Sequence, residues 1–393
     1  MMKRFLKRAT ALFMAAALAL TATGCWGKHE LTELFFATGV ALDTSGVPGE
    51  YAFSLQVSKT QAASSGNSSG GSGSSEKAAL LLTATEKTMA EAINTINRDA
   101  SRKVFIHHNQ IILFSEDLAR EGLANHIDIF MRDQESRMEV PVAIVEGKAA
   151  DILSAEMEQD KVTGSYLSRT FGSRASISPN YKVTILDFAS KILDTSVSPV
   201  VPLLKLTKNG DMDKIEIDGM AVFKDDKMIG LLDNEAVYGY VWAMGNIENG
   251  RMAAESDQGR AVFQIETLDS SWNVEPKKDG GVKATVTITA NLLLDEMIGF
   301  TDVSQNDLIE YLKNLGTSRI KDRIAATFEM ARAMDADIYG IGLMLHRHHK
   351  AAWHAIADDW DAQFQNVEFD VRVSVQLPSI GKVIQSVEMG EQK

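Results

Sequence analysis

The stretch 104–145, VFIHHNQIILFSEDLAREGLANHIDIFMRDQESRMEVPVAIV, decides the fold class. Val104–Phe114, apolar at both ends, reads as a buried strand. Ser115-Glu116-Asp117 then supplies an N-cap and two acids for a helix start, where the helix dipole favours negative charge. That helix carries Leu118, Leu123, Ile127 and Phe130 at helical spacing and is predicted to run to about Met131. Val140–Val145 is strand-like again, and Ala149–Glu158 is helical. Strand, helix, strand, helix predicts a layered α/β unit.

Outward from this stretch the pattern continues. Upstream, Thr88-x-x-Glu91 has capping-box spacing for a helix to about Ala100, Tyr51–Val57 and Ala78–Thr85 read as strands, and Glu30–Val40 reads as a short helix running into a strand. Residues 61–77, QAASSGNSSGGSGSSEK, can bury nothing and are expected to be a disordered loop joining two strands. Downstream, Pro199 and Pro202 predict an extended connector over Val197–Leu206. Ile215–Phe223 and Met228–Leu232 flank the turn Lys224-Asp225-Asp226-Lys227 as a hairpin, with a helix in Leu231–Met244. Val262–Val274 and Val282–Leu294 are strands joined by a PKKDGG turn, and Ser304 precedes a long helix over Gln305–Met334. Val367–Leu377 alternates strictly, a strand with one wet face, and Lys382–Met389 is expected to be a last strand. This predicts an α+β chain of sheets packed with helices, divided as 25–195, a small middle unit 196–261, and 262–393 with the long helix.

The first residues have a different character. Lys3, Arg4, Lys7 and Arg8 precede an apolar run, Ala9–Leu20, and then Thr21-Ala22-Thr23-Gly24 lead to Cys25, the only cysteine of the 393 residues. This is the layout of a signal peptide, with an apolar stretch shorter than the roughly 20 residues a spanning helix needs. Small residues followed at once by Cys form a lipobox, so residues 1–24 are expected to be removed and Cys25 to carry a diacylglyceryl group. The competing reading is an ordinary cut nearby that leaves a reactive free thiol. Removal of residues 1–24 leaves 36 basic against 53 acidic residues, a net charge of −17. Such a body is a poor match for nucleic acid, whose phosphates want Lys/Arg patches. Anionic headgroups repel it too, so two buried acyl chains would have to hold it at a membrane. With one cysteine no internal disulfide exists, and the fold must rest on apolar cores.

The search for chemistry finds little. His346, His348, His349 and His354 are four of eight histidines, but no Glu lies among them and the spacing is not that of H-E-x-x-H. Wet helix surface explains them better. His107-His108 read as alternate faces of a strand, Arg132-Asp133 with Arg137 as local ion pairs, and Trp353 with Trp360 as the core face of a helix. No P-loop or dinucleotide fingerprint is present, and no G-x-S-x-G stands at a strand-to-helix turn as a nucleophile elbow would: the match at 66–70 falls inside the Gly/Ser tract.

Several blocks together resemble one family. Gly24-Cys25-Trp26 with Glu30-Leu31; His108, Ile112-Leu113-Phe114 and Ala119-Arg120-Glu121-Gly122-Leu123; Phe130-Met131-Arg132-Asp133 with Arg137; Gly219–Lys224 with Gly230; and Asp335–Gly342 with Trp360 and Phe364 occur in the order seen in the Ger(x)C family, the lipoprotein C subunits of spore germinant receptors. Gly27 stands where that family usually has Asp, and the Gly/Ser tract is unusually long. The resemblance implies three mixed α/β domains, a lipid anchor on the outer face of the cytoplasmic membrane (the spore inner membrane), A-type and B-type integral membrane partner subunits, and no catalytic residues or cofactors. A solute-binding lipoprotein of a transporter, and a metal enzyme using the His346–His354 cluster, are the rival classes.

Overall fold

The computed structural model describes residues 34–58, 78–132, 136–157, 160–172, 182–245, 247–278, 280–300 and 305–378, with positions 2, 4–6, 8–10, 13 and 14 near the start. Two sheets organise them. The first begins with β1 (Leu34–Thr44), β2 (Tyr51–Ser58) and β3 (Ala79–Glu86), paired antiparallel in sequence order. Helix α1 (Met89–Asp99) returns the chain to a short strand β4 (Lys103–Phe105) beside the start of β1. Thr88 caps α1, its hydroxyl accepting from the Glu91 amide at 3.3 Å, as the capping-box spacing predicts.

The parallel centre follows. Strand β5 (Ile112–Ser115) leads through α2 (Glu116–Glu121) and α3 (Ala124–Arg132) to β6 (Val142–Val145). Helices α4 (Ala149–Ser154), α5 (Thr163–Gly172) and α6 (Ile185–Ile192) then lead to β7 (Val200–Asn209). A meander of β8 (Met212–Lys224) and β9 (Lys227–Leu232) closes the sheet in the order β3-β2-β1-β5-β6-β7-β8-β9, with β4 beside β1. Both faces are covered. Val40, Leu42, Phe114 and Ile144 pack with Ile96, Leu118, Ile127 and Phe188 of α1, α2, α3 and α6. Ala41, Leu113, Ala143 and Val145 pack on the other face with Ile152, Leu167 and Phe171 of α4 and α5. Double coverage is why these central strands lack alternation.

The second sheet is simpler. After α7 (Asn234–Met244), β10 (Ile247–Ser256), β11 (Gly259–Pro276) and β12 (Val282–Gly299) form an antiparallel meander. The long helix α8 (Gln305–Ala333), then α9 (Ile341–His348), α10 (Lys350–Ile356) and α11 (Trp360–Gln365) cross over to β13 (Glu368–Gln376), which pairs parallel with β12. Ile320, Ile324 and Phe328 of α8 are fully buried, and the Phe328 ring stacks on Phe369 of β13 at 4.0 Å.

Several expectations are corrected. Residues 196–261 build no sheet of their own: β7, β8 and β9 extend the first sheet and β10 starts the second. The expected connector is strand β7: Pro202 borders the register shift between Pro202 and Leu204 in the pairing with β8, and bulges are where strands tolerate proline. The single helix to Met131 is two helices, broken at Gly122, whose φ is 129°. The strand over Val104–Phe114 is interrupted by a 3₁₀ turn at Ile106–His108, so His107 and His108 do not alternate across a strand. Ser304, Asp133, the tract 61–77 and the expected strand 382–389 lie outside the described residues.

Candidate functional site

Cys25 lies outside the described residues. Among the described ones, the sequence blocks singled out above converge on the β8–β9 turn. Asp226 of this turn reaches back to the α2–α3 break: its backbone carbonyl accepts from the Leu123 amide at 2.9 Å and its carboxylate from the Ala124 amide at 3.1 Å. The carboxylate thus caps α3 from a segment 102 residues away. A Cβ at Gly122 would stand 2.7 Å from the same carboxylate, so both φ and space demand glycine there.

Lys224, at the other end of the turn, reaches forward. Its Nζ lies 3.2 Å from Asp335 Oδ2 and 2.7 Å from Asp361 Oδ2, and donates to the Asp335 carbonyl at 3.2 Å. Gln365 holds the other oxygen of Asp335 at 2.8 Å, and this bond, with Lys224, keeps the Asp335 carboxyl below its usual range despite partial burial. A Cβ at Gly230 would come 2.5 Å from Met334 Sδ, another meeting of the middle and C-terminal blocks.

The block Asp335–Gly342 is built around Asp337. Its carboxylate accepts from the amides of Ile341 at 3.0 Å and Gly342 at 2.8 Å, filling the N-terminus of α9, while its carbonyl accepts from the Ser198 amide at 2.9 Å. One residue therefore ties the segment before β7 to the start of α9. Gly340 takes φ 70° ahead of the helix, and a Cβ at Gly342 would strike Trp360 at 2.8 Å and the Ser196 carbonyl at 2.9 Å. Burial raises the Asp337 carboxyl to about 6, with the three backbone amides of residues 340–342 pulling the other way.

Beside these contacts lies an open cleft of about 310 Å³, lined by Lys224, Asp225, Asp337, Asp358, Asp359, Trp360 and Asp361 among others. Its walls are mainly acidic, with Thr195 and Ser198 as the hydroxyl groups of the lining. The histidines are elsewhere in use. His346 stacks on Trp353 at 5.6 Å and meets His354 edge-on at 5.9 Å, while His348 is exposed. Among the described residues no group of three or more His, Cys, Asp or Glu is placed to hold a metal ion. Trp353 and Trp360 occupy two helices rather than one, yet both are buried and pack edge to face at 5.4 Å. His107 packs edge-on to Phe105 at 4.9 Å. Arg132 pairs with Asp128 at 2.6 Å, one turn earlier in α3, while Asp133 lies outside the described residues. No helix of the described residues is long and apolar enough to cross a membrane. The Asp226 contacts were not legible in the sequence, since only the turn itself carried a signal.

Comparison with known proteins gives the same assignment as the blocks. Residues 27–206 match the family model for the spore germination protein N-terminal domain, and residues 218–381 match that for the spore germination B3/GerAC like C-terminal domain. Spore germination protein KC of Bacillus subtilis (strain 168) is 21% identical over 91% of this chain and 92% of its own. Spore germination protein B3 of the same organism is 22% identical over 97% and 100%, and spore germination protein A3 is 24% identical over 92% and 95%. The crystal structure of the GerBC protein is similar in fold, with a TM-score of 0.56, 17% identity, and coverage of 87% of this chain and 97% of that one. The two family models span most of the sequence, and the chain belongs to the Ger(x)C family of spore germination proteins.

Proposed function

We propose that this protein is a non-enzymatic, lipid-anchored subunit of a spore nutrient germinant receptor, acting with A-type and B-type integral membrane subunits. Cys25 carries the lipid, the signal peptide 1–24 is removed, and the body sits on the outer face of the cytoplasmic membrane, which is the spore inner membrane. Its work is to assemble the receptor or to couple its parts during germination. The observation that carries this reading is the family match over 27–206 and 218–381 behind a lipobox cysteine. It is supported by the use of the most distinctive residues, Asp226, Lys224 and Asp337, to join segments of the fold rather than to form a reactive set.

The test is a pull-down of the tagged chain from spore membranes together with deletion of its gene. Co-purification of the two membrane subunits, and loss of nutrient-triggered germination or of partner levels on deletion, is the expected result. Capture of a transporter in their place, or unchanged germination in a strain with no second receptor, would overturn it.

A further inference from the structure

The described fold starts at one pole of the first sheet. Leu34 opens β1, and only eight residues separate it from Cys25. Nine Cα steps reach at most about 30 Å, so an anchored Cys25 holds Leu34 within that distance of the bilayer. The other end of β1, at Thr44, lies about 33 Å further along the strand. The two ends of residues 59–77 leave from the same pole, since Ser58 pairs with both Phe36 and Ala79. Strand β4 starts there too, with Lys103 opposite Leu34 and Phe105 opposite Phe36.

The chemistry of this pole differs from that of the body. Arg98, Arg102 and Lys103 gather at the end of α1 and the start of β4 with Asp99 as the one acid of that turn, on a chain whose mature charge is −17. The Arg98–Asp99 contact, 3.5 Å with both side chains more than 70% exposed, is too wet to neutralise the patch. Phe35, Phe36 and Phe105 are only half-buried: the Arg102 guanidinium lies 5.3 Å over the Phe35 ring, and Phe36 and Phe105 meet edge-on at 5.8 Å. Cations over partly exposed aromatic rings suit a lipid headgroup layer, where the apolar body sinks and the charge meets phosphate. Each basic side chain near an anionic surface adds attraction, while the acidic remainder is pushed away.

We infer that this pole, with Phe35, Phe105, Arg98, Arg102 and Lys103, faces the membrane and docks on anionic phospholipid headgroups, standing the first sheet upright on the bilayer. The inference rests on the reading of Cys25 as the anchor and adds an orientation to it.

Full-length Ser101→Cys and Val47→Cys proteins test it, each labelled with a thiol-reactive fluorophore and reconstituted in phosphatidylglycerol/phosphatidylethanolamine vesicles with a headgroup-attached quencher. Val47, 52% exposed, sits in the β1–β2 turn at the far pole. The label at 101 should be quenched and that at 47 should not. Adding Arg102→Glu and Lys103→Glu, or using phosphatidylcholine vesicles, should lower the quenching at 101 on the order of tenfold. Equal quenching at both positions, or indifference to charge reversal and to lipid, would overturn the orientation. So would a label at 101 shielded from water yet unquenched by lipid, which would mean that another copy of the chain covers the pole. Mass spectrometry of Cys25 in the same samples separates the two ideas. Acylated Cys25 with equal quenching removes the orientation and keeps the anchor. A bare Cys25 would take the fluorophore itself, so in that case the two variants are repeated on Cys25→Ser protein, where selective quenching at 101 removes the anchor and keeps the docking surface.

Discussion

Lys224, at the end of a strand in the first sheet, shares its ammonium group between Asp335 and Asp361, at 3.2 and 2.7 Å, on the segments that follow the long helix of the second. The residue next but one, Asp226, points the opposite way and caps α3. A four-residue turn thus fastens three distant parts of the chain.

Lys224→Ala should lower stability by about 1 kcal/mol, the range for a half-exposed pair. The Asp335→Asn variant should have a similar effect, and the double variant should cost less than the sum because the sites are coupled. Urea denaturation of the four proteins checks this, and strict additivity would contradict it.

Asp226→Ala removes the carboxylate that the Ala124 amide meets and should destabilise by roughly 0.5–2 kcal/mol, the range for a lost helix cap. Amide exchange should quicken in α3 before it does in β12. Uniform quickening would mean that the cap has no local role.

Gly239 lies where α7 crosses α8: an added Cβ would stand 2.2 Å from Thr327 Oγ1 and 2.5 Å from the Arg323 carbonyl. Thr327 also donates to the Ala236 carbonyl at 3.0 Å, so it cannot move without losing that bond. Gly239→Ala should therefore cost about 1–3 kcal/mol through overpacking, despite the higher helix propensity of alanine. A melting temperature at or above that of the parent would contradict the packing.

Asp337 gives a pH dependence with a definite sign. Its folded-state pKa of about 6 lies above the reference value of 3.8, so the folded protein holds this proton more tightly than the unfolded chain. The stabilisation is full below pH 3.8 and is lost as pH rises through about 6. Relative to Asp337→Asn, the parent should lose on the order of 2–3 kcal/mol over that window. Parallel stability curves for the two proteins would contradict it.

The residues explain what could be read in advance. Strand β13 was plain because Val371 and Val375 alternate with exposed Arg372 and Gln376, a period visible within nine residues. The capping of α1 by Thr88 and of α2 by Ser115 was equally local. Strand β7 was hidden because Pro199 and Pro202 argue against a central strand until the bulge opposite β8 is known. The break at Gly122 was hidden because an isolated glycine is tolerated in many helices; the carboxylate that caps the next helix at Ala124 comes from Asp226, 102 residues further along the chain. Asp337 lay in a block whose resemblance was legible, but its link to Ser198 is a tertiary contact that no spacing reveals.

At the centre of the proposed function is an acidic body held to a membrane through the Cys25 sulfur. Intact-mass and peptide mass spectrometry of the protein purified from native spore membranes tests it most directly. The account predicts a mature chain that begins at Cys25 with diacylglycerol on its sulfur. A bare Cys25 thiol, or a mature N-terminus at any other residue, would contradict it.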